Sequence, residues 1–281
     1  METKQKVTSK NLILKILIHL FLLSLVGFIF LPMLWLILNS LKTNNELFAN
    51  SLALPEVWQF HNYVIAWSKG LFAYFKNSVI VSAIALSFIL LFSSFFAYGL
   101  TRFKLKGSNL IFFVVLGGMA LSEQVALVPL YKILQTLHLY NTYLALILPY
   151  IAFRIPFTAF LLRSYFISIP KELEEAAVID GYNSLQIFTK IIVPISKPVL
   201  SSCAIVNLNF VWNEFLFANV FLESKSIMTI PIGLMSFKGD MKADYTVMLA
   251  GIAVASIPLI ALFICMQKQF VRGLTAGAVK G

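Results

Sequence analysis

The chain has 281 residues, of which 59% are hydrophobic and only 12% charged, with a mean hydropathy of +0.87. Water-soluble domains average about 45–50% apolar and about 25% charged residues, so lipid must be the solvent for most of this surface and a soluble enzyme is excluded. The 22 basic and 12 acidic residues leave a net charge of +10, but the basic residues sit at the ends of apolar runs rather than in one patch, which argues against a nucleic-acid partner.

Lys4, Lys6, Lys10 and Lys15 precede an apolar stretch from Ile16 to Leu41 that is broken only by His19. The apolar heart of a secretory signal is shorter, about 7–15 residues, and no small-residue cleavage site follows. This stretch is therefore expected to remain as a first transmembrane helix. The connection from Lys42 to Lys76 carries Trp58, Phe60, Tyr63 and Trp67 at helix-like spacing, which predicts a short helix lying at the membrane interface. A second span runs from Asn77 to Thr101. The third, Gly107 to Tyr131, contains Glu123; the fourth, Leu139 to Leu162, contains Arg154; the fifth, Pro198 to Leu222, contains Glu214; the sixth, Tyr245 to Gln267, contains no charge. The expected fold class is all-α, a polytopic membrane protein with six transmembrane helices. Five prolines, at positions 32, 129, 149, 156 and 258, fall within these spans. They are read as kinks, since neighbouring helices can satisfy the freed carbonyls, with hinges as the sharper alternative.

With the amino terminus inside, the inner segments carry 14 Lys and Arg and the outer ones seven. The positive-inside rule then puts both termini in the cytoplasm. Three parts follow: residues 1–76, with the tail, first span and external loop; residues 77–267, a transmembrane core; and residues 268–281, a cytoplasmic tail. The external connection Glu223 to Asp244 is polar, with Pro231, Gly233 and Gly239, and suits an entrance cover or an external contact.

The inner connection Arg163 to Lys197 is the most informative stretch. Pro170 suits a helix start, and Glu172, Glu174 and Glu175 complement the positive end of its dipole. Gly181 after Asp180 suits a left-handed helix end. Asn183 and Gln186 then predict a capping box opening a second helix that runs to Pro194. Leu173, Ala176, Ala177 and Asp180 share one face of the first helix, and its net charge of minus three opposes an anionic membrane surface. A protein docking site explains this pattern; a solvated loop helix with helix-favouring alanines is the plain alternative.

No phosphate-binding loop, metalloprotease motif or nucleophile elbow is present, and His19, His61 and His138 lie on different elements, so neither catalytic nor metal-ligating residues are expected. Cys203 and Cys265 sit inside apolar runs and offer no disulfide framework. Charges within spans are costly and are candidates for function. Counted from the inner edge, Glu123 and Glu214 lie about 24 and about 25 Å up a core about 30 Å thick. Together with Asn213 they are candidate pathway or external-face residues, or simply interfacial ones. Arg154, deeper and beside Pro156, needs a partner or a cavity, and the sequence leaves its pairing with Glu123 or Glu214 open.

Glu175-Ala176-Ala177, Asp180-Gly181, Ile191 and Pro194 resemble the EAA motif of permease subunits of bacterial binding-protein-dependent ABC importers. Asn141-Thr142, Leu148-Pro149-Tyr150, Pro156-Phe157, Phe160-Leu161-Leu162-Arg163, Ile169-Pro170 and Trp212-Asn213-Glu214-Phe215 resemble the sugar-importing group, and the ending Gly273 to Gly281 resembles that of its MalG-type subunits. Tyr182, where small residues are common, is a departure. The resemblance implies the MetI-like and MalG-like permease fold. It implies that residues 168–194 form a coupling segment, with Glu174, Glu175, Ala176, Ala177, Asp180, Gly181 and Pro194 meeting a cytoplasmic ATPase. It also implies that the tail, through Leu274, Gly277, Lys280 and Gly281, reaches between two ATPase subunits. No cofactor is then expected in this chain, ATP and Mg being held by the ATPase. The implied partners are a second homologous permease subunit, two ATP-binding subunits, an external solute-binding protein, a sugar or oligosaccharide, and the lipid of a bacterial inner membrane. An ion-gradient-driven secondary transporter is the rival reading; it calls for a midplane ion site, which the sequence does not display.

Overall fold

The computed structural model describes residues 9–103, 105–238 and 244–278, with side chains over 14–103, 105–237 and 244–267. Among these residues there is no strand. In chain order the helices are α1 (Ser9–Ser40), α2 (Asn44–Ala49), α3 (His61–Ala66), α4 (Phe72–Arg102), α5 (Ser108–Gly117), α6 (Glu123–Thr136), α7 (Leu144–Ser168), α8 (Glu172–Ile179), α9 (Ser184–Ile187), α10 (Val193–Ile195), α11 (Lys197–Asn213), α12 (Leu216–Phe221), α13 (Ile230–Met235) and α14 (Tyr245–Ala278). Four of the helical stretches are long and apolar enough to cross a membrane, and six spans result when each sharply bent pair counts as one. Helices run through all five of the prolines noted above.

The chain divides into two compact units. In the first, residues 1–69 and 237–254, α1 is apolar around its whole circumference and every side chain from Leu14 to Leu34 is exposed, as lipid or a partner helix would require. Packing begins only at its end. Asn39, Ser40, Leu41 and Lys42 are buried, and Asn62 donates from Nδ2 to the carbonyls of Ser40 and Lys42 at 2.9 Å each. Lys42 donates from Nζ to the Asn50 carbonyl, 3.0 Å away, at the end of α2. The expected helix from Trp58 to Trp67 is shorter than its aromatic spacing implies. The Gln59 N–H is held by the Leu41 carbonyl at 2.8 Å, so helix begins only at His61, leaving Trp58 and Phe60 before it.

In the second unit, residues 70–236 and 255–281, α4 packs along α7, and α11 packs against both. Ser78, Ser82, Ala85, Ile89, Ser93 and Ala97 line the buried face of α4 at roughly one-turn spacing, all of them small except Ile89. Small side chains there let the helix backbones approach closely. The third span departs from the single helix expected. After Gly117 a 3₁₀ turn at Gly118–Ala120 ends the rise, Ser122 takes an extended conformation, and α6 leaves at 97°. The paired glycines have low helix propensity, and the Ser122-Glu123 step suits a new helix start. The fifth span is also interrupted: α11 ends at Asn213, and α12 restarts at Leu216.

Short α13 is buried against α4, where Asn77 donates to the Ser226 and Met228 carbonyls at 2.9 Å each and Ser78 Oγ accepts the Ile230 N–H. Gly233 makes this approach possible, since a Cβ there would run into the Tyr74 ring. Gly233→Ala is therefore expected to lower stability by about 1–3 kcal/mol through overpacking. Thermal unfolding in detergent measures this, and the loss should shrink when Tyr74→Leu is added.

Candidate functional site

Helix α8 is short, and its two ends are built by local sequence. Three glutamates occupy its first turn. At its end Gly181 has φ +83°, its N–H reaches the Val178 carbonyl at 3.0 Å, and the Tyr182 N–H reaches that of Ala177 at 2.9 Å. This pair of bonds closes the helix as a Schellman motif, which the left-handed glycine makes possible. Asn183 and Gln186 then form the expected capping box, each side chain bonded to the other's backbone N–H at 2.9 Å. The second helix widens into a π turn at Phe188–Ile192 before Pro194, which has no N–H to offer the preceding turn, and continues to Ile195.

What the sequence did not reveal is how this segment is rooted. Arg102, at the last position of α4, ion-pairs with Glu174 at 2.5 Å. Its Nη2 also donates to the carbonyls of Phe166 and Ile169, at 3.0 and 3.1 Å, where α7 ends. One guanidinium thus joins two membrane helices to the short one. Burial pushes the Glu174 carboxyl above its ordinary pKa, and the Arg102 charge opposes that push. Beside the pair, Phe188 packs between Tyr98 and Phe95, with ring centroids 5.0 and 4.8 Å away. A buried cluster gathers Ala97 and Tyr98 of α4, Leu162 and Phe166 of α7, Ala177 of α8, Ile187, Phe188 and Ile192, and Val199 and Cys203 of α11. In the sequence Arg102 reads only as one more inner charge; its contacts depend on two elements far apart along the chain.

The face expected to be shared by Leu173, Ala176, Ala177 and Asp180 is divided. Ala177 is turned inward and is 4% exposed, whereas Leu173, Ala176 and Asp180 stay open to the outside, together with Glu175, Val178 and Ile179. Val178 is 60% and Ile179 86% exposed. Glu174, Glu175, Val178 and Ile179 also line a cleft of about 370 Å³ with Tyr98 and Arg102.

The charges within spans find separate partners. Arg154 ion-pairs with Glu123, and its guanidinium lies 3.1 Å from the centre of the Phe210 ring. Glu214 is 8% exposed and accepts hydrogen bonds from Tyr150 at 2.6 Å and from the backbone N–H groups of Phe217 and Ala218 at 2.6 and 3.2 Å. Its carboxylate thereby caps α12 where the span is interrupted. Asn213 is exposed and bonded to Asn209 within its own helix. The backbone of Leu274 and Gly277 belongs to α14, while the Leu274 side chain, and Lys280 and Gly281 altogether, lie outside the described residues.

Residues 70–276 match the family described as the binding-protein-dependent transport system inner membrane component. The chain belongs to this family. A probable ABC transporter permease of Bacillus subtilis (strain 168), YurM, is 48% identical over 250 residues, covering 89% of this chain and 83% of that protein. The arabinooligosaccharides transport system permease AraQ of the same organism is 35% identical over 272 residues, covering 95% and 96%. Among solved structures, the fold is like that of a bacterial ABC transporter involved in the import of the acidic polysaccharide alginate, with a TM-score of 0.80 at 21% identity and 95% and 100% coverage. The fold class is thus that of the ABC importer permeases, and the chain is a multi-pass membrane transport component rather than an enzyme.

In this permease the Arg102 contacts predict a measurable tether. Removing the guanidinium leaves the partly buried Glu174 carboxylate and two carbonyls without this donor, at a cost of about 1–3 kcal/mol. Arg102→Met is expected to speed amide exchange across residues 172–187 well beyond that of α11. Unchanged exchange there would mean the segment is held by the apolar cluster alone.

Proposed function

We propose that this permease forms, with a second homologous subunit, the path by which an ATP-driven importer takes up a sugar or oligosaccharide delivered by an external solute-binding protein. The observation that carries the ATP-coupling part is the contrast between the two sides of α8: one side is rooted in three membrane helices, and the other leaves Val178 and Ile179 uncovered. Large apolar side chains so exposed on an acidic helix suit a cleft in another protein better than water or an anionic leaflet. In this reading Glu174, Glu175, Ala176, Ala177, Asp180, Gly181 and Pro194 form the coupling segment, Glu174 and Ala177 as its root and Glu175, Ala176 and Asp180 at the contact. ATP and Mg are held by two cytoplasmic ATPase subunits. Closure of those subunits would carry α8 with it, and the close-packed cluster transmits the displacement to α4, α7 and α11 together. The tail residues Leu274, Gly277, Lys280 and Gly281 reach between the ATPase subunits. The sugar class is supported by relatives such as the arabinooligosaccharide permease.

Both termini are cytoplasmic in this reading, and residues 42–76 and 223–244 face outward. Lys225→Cys should therefore react with a membrane-impermeant thiol reagent in intact cells. Reaction only after permeabilisation would reverse the topology.

The coupling role is tested by Glu175→Lys and Gly181→Val in the purified assembly. Glu175 is exposed, so its reversal leaves the fold in place and changes the contact. A Cβ at Gly181 meets nothing within 4 Å, so Gly181→Val acts through backbone strain of about 1–2 kcal/mol in the left-handed turn. Both variants should lose bound ATPase, or keep it while losing hydrolysis stimulated by loaded binding protein, with the binding protein's own affinity unchanged. Full association, stimulation and uptake in both variants would refute the assignment. The same assay on a chain ending at Gly273 reads the contribution of the tail.

A further inference from the structure

We infer that the concavity beside the break in the third span is a saccharide subsite of the translocation path, with Glu123 and Arg154 as its hydroxyl-binding groups, and that its balanced charge selects neutral sugars. This inference rests on the importer reading above and deepens it.

The break itself is the first observation. Inside the hydrocarbon layer, non-helical backbone is tolerated only where protein buries it or where it lines a water-filled cavity. This chain does not bury it: Met119 and Leu121 are 51% and 66% exposed. The second observation is the ion pair, whose side chains are 22% and 25% exposed on the same face. Charges open to hydrocarbon are costly, so that face is turned away from lipid, toward the second permease subunit and the path between the two. The third is a concavity of about 320 Å³ at this spot, lined by Met119, Glu123, Phe153, Arg154, Phe157 and Val206. That volume lies at the lower end of ligand pockets, about 300–1,000 Å³, and suits one sugar ring at a time rather than a whole oligosaccharide.

The lining has the chemistry a sugar ring requires. Arg154 spends one Nη2 hydrogen on Glu123 and its Nε is buried, which leaves the other Nη hydrogens to meet a ligand. A guanidinium has five N–H donors and a carboxylate about four acceptor sites, so both keep capacity for neighbouring hydroxyl groups. Phe153 and Phe157 add apolar aromatic surface to the lining, which suits the C–H groups of a sugar ring. Arg154 is also steadied by the Phe210 ring beneath it, so little freedom is lost when a hydroxyl binds. Glu123 cancels the charge of Arg154, and among the described residues no other ionisable side chain lines the concavity. A uronate would meet the carboxylate without a free cation to answer it, whereas a neutral sugar meets a donor and an acceptor side by side.

The test uses the complete transporter reconstituted in vesicles, with Met119→Cys placed in a chain carrying Cys203→Ser and Cys265→Ser. A water-soluble methanethiosulfonate should label Cys at 119. Raffinose, maltotriose or arabinotriose, whichever the transporter takes up, should slow labelling by about tenfold when present at about ten times a millimolar dissociation constant. Trigalacturonate should not protect until Glu123→Gln is added, which leaves Arg154 uncancelled; protection should then pass from the neutral trisaccharide to the acidic one. A merely structural ion pair would weaken both alike. Absence of labelling, protection by trigalacturonate in the unaltered site, or uptake of a neutral trisaccharide without protection would each overturn this inference alone. Failure to take up any of the saccharides would remove the sugar-importer reading and this inference with it.

Discussion

Arg102 lies where a membrane helix ends, and its guanidinium serves acceptors on two other elements: the Glu174 carboxylate and the carbonyls of Phe166 and Ile169. No other type of side chain could do this as well. The planar fork directs several donors at once, remains charged when desolvated and adds bonds to carbonyls at the end of α7. Around it the apolar cluster closes over Ala177, Ile187 and Phe188. The segment from α8 to Ile192 is thus packed as a continuation of the membrane helices rather than as a loop slung between them. A displacement applied to α8 therefore has no soft joint in which to dissipate.

A related constraint governs the interruptions within the spans. A helix that stops inside hydrocarbon exposes backbone groups that only protein or trapped water can satisfy. At the end of α11 the permease supplies Glu214, whose carboxylate takes two N–H groups of α12 while Tyr150 donates to it. The acid is consumed by the architecture. At Gly118–Ser122 the neighbouring acid, Glu123, pairs instead with Arg154 and remains partly open. Two carboxylates that the sequence places within spans thus have opposite environments, one sealed and one accessible. That difference directs attention to the second of them as a contact with cargo.

Close approach between helices depends on what is absent as much as on what is present. The serine and alanine stripe of α4 brings α7 near, and Gly233 admits the Tyr74 ring. Such positions leave room for polar side chains to cross between helices. Asn207 and Thr158 join α11 and α7 through a 2.9 Å bond while both are fully buried. In an apolar surrounding that bond has no water competing for its partners.

Much was legible before any coordinates. Apolar length and charge spacing identified the spans, because hydrocarbon thickness sets a minimum run and charges are driven to its edges. The ends of α8 and the capping box at Asn183 were also legible, since glycine handedness and side-chain capping act within a few residues. Three features were not. Ala177 reads as one of four residues on a docking face, but its burial depends on where α4 and α7 bring their side chains. Arg102 reads as an inner charge, but its partners lie more than 60 residues away. The Arg154 pairing with Glu123 rather than Glu214 follows from a 97° turn that paired glycines permit but do not require. The sequence determined everything whose cause is local or set by the solvent; tertiary structure alone decided which charges meet, because that depends on helix crossings that no neighbouring residue encodes.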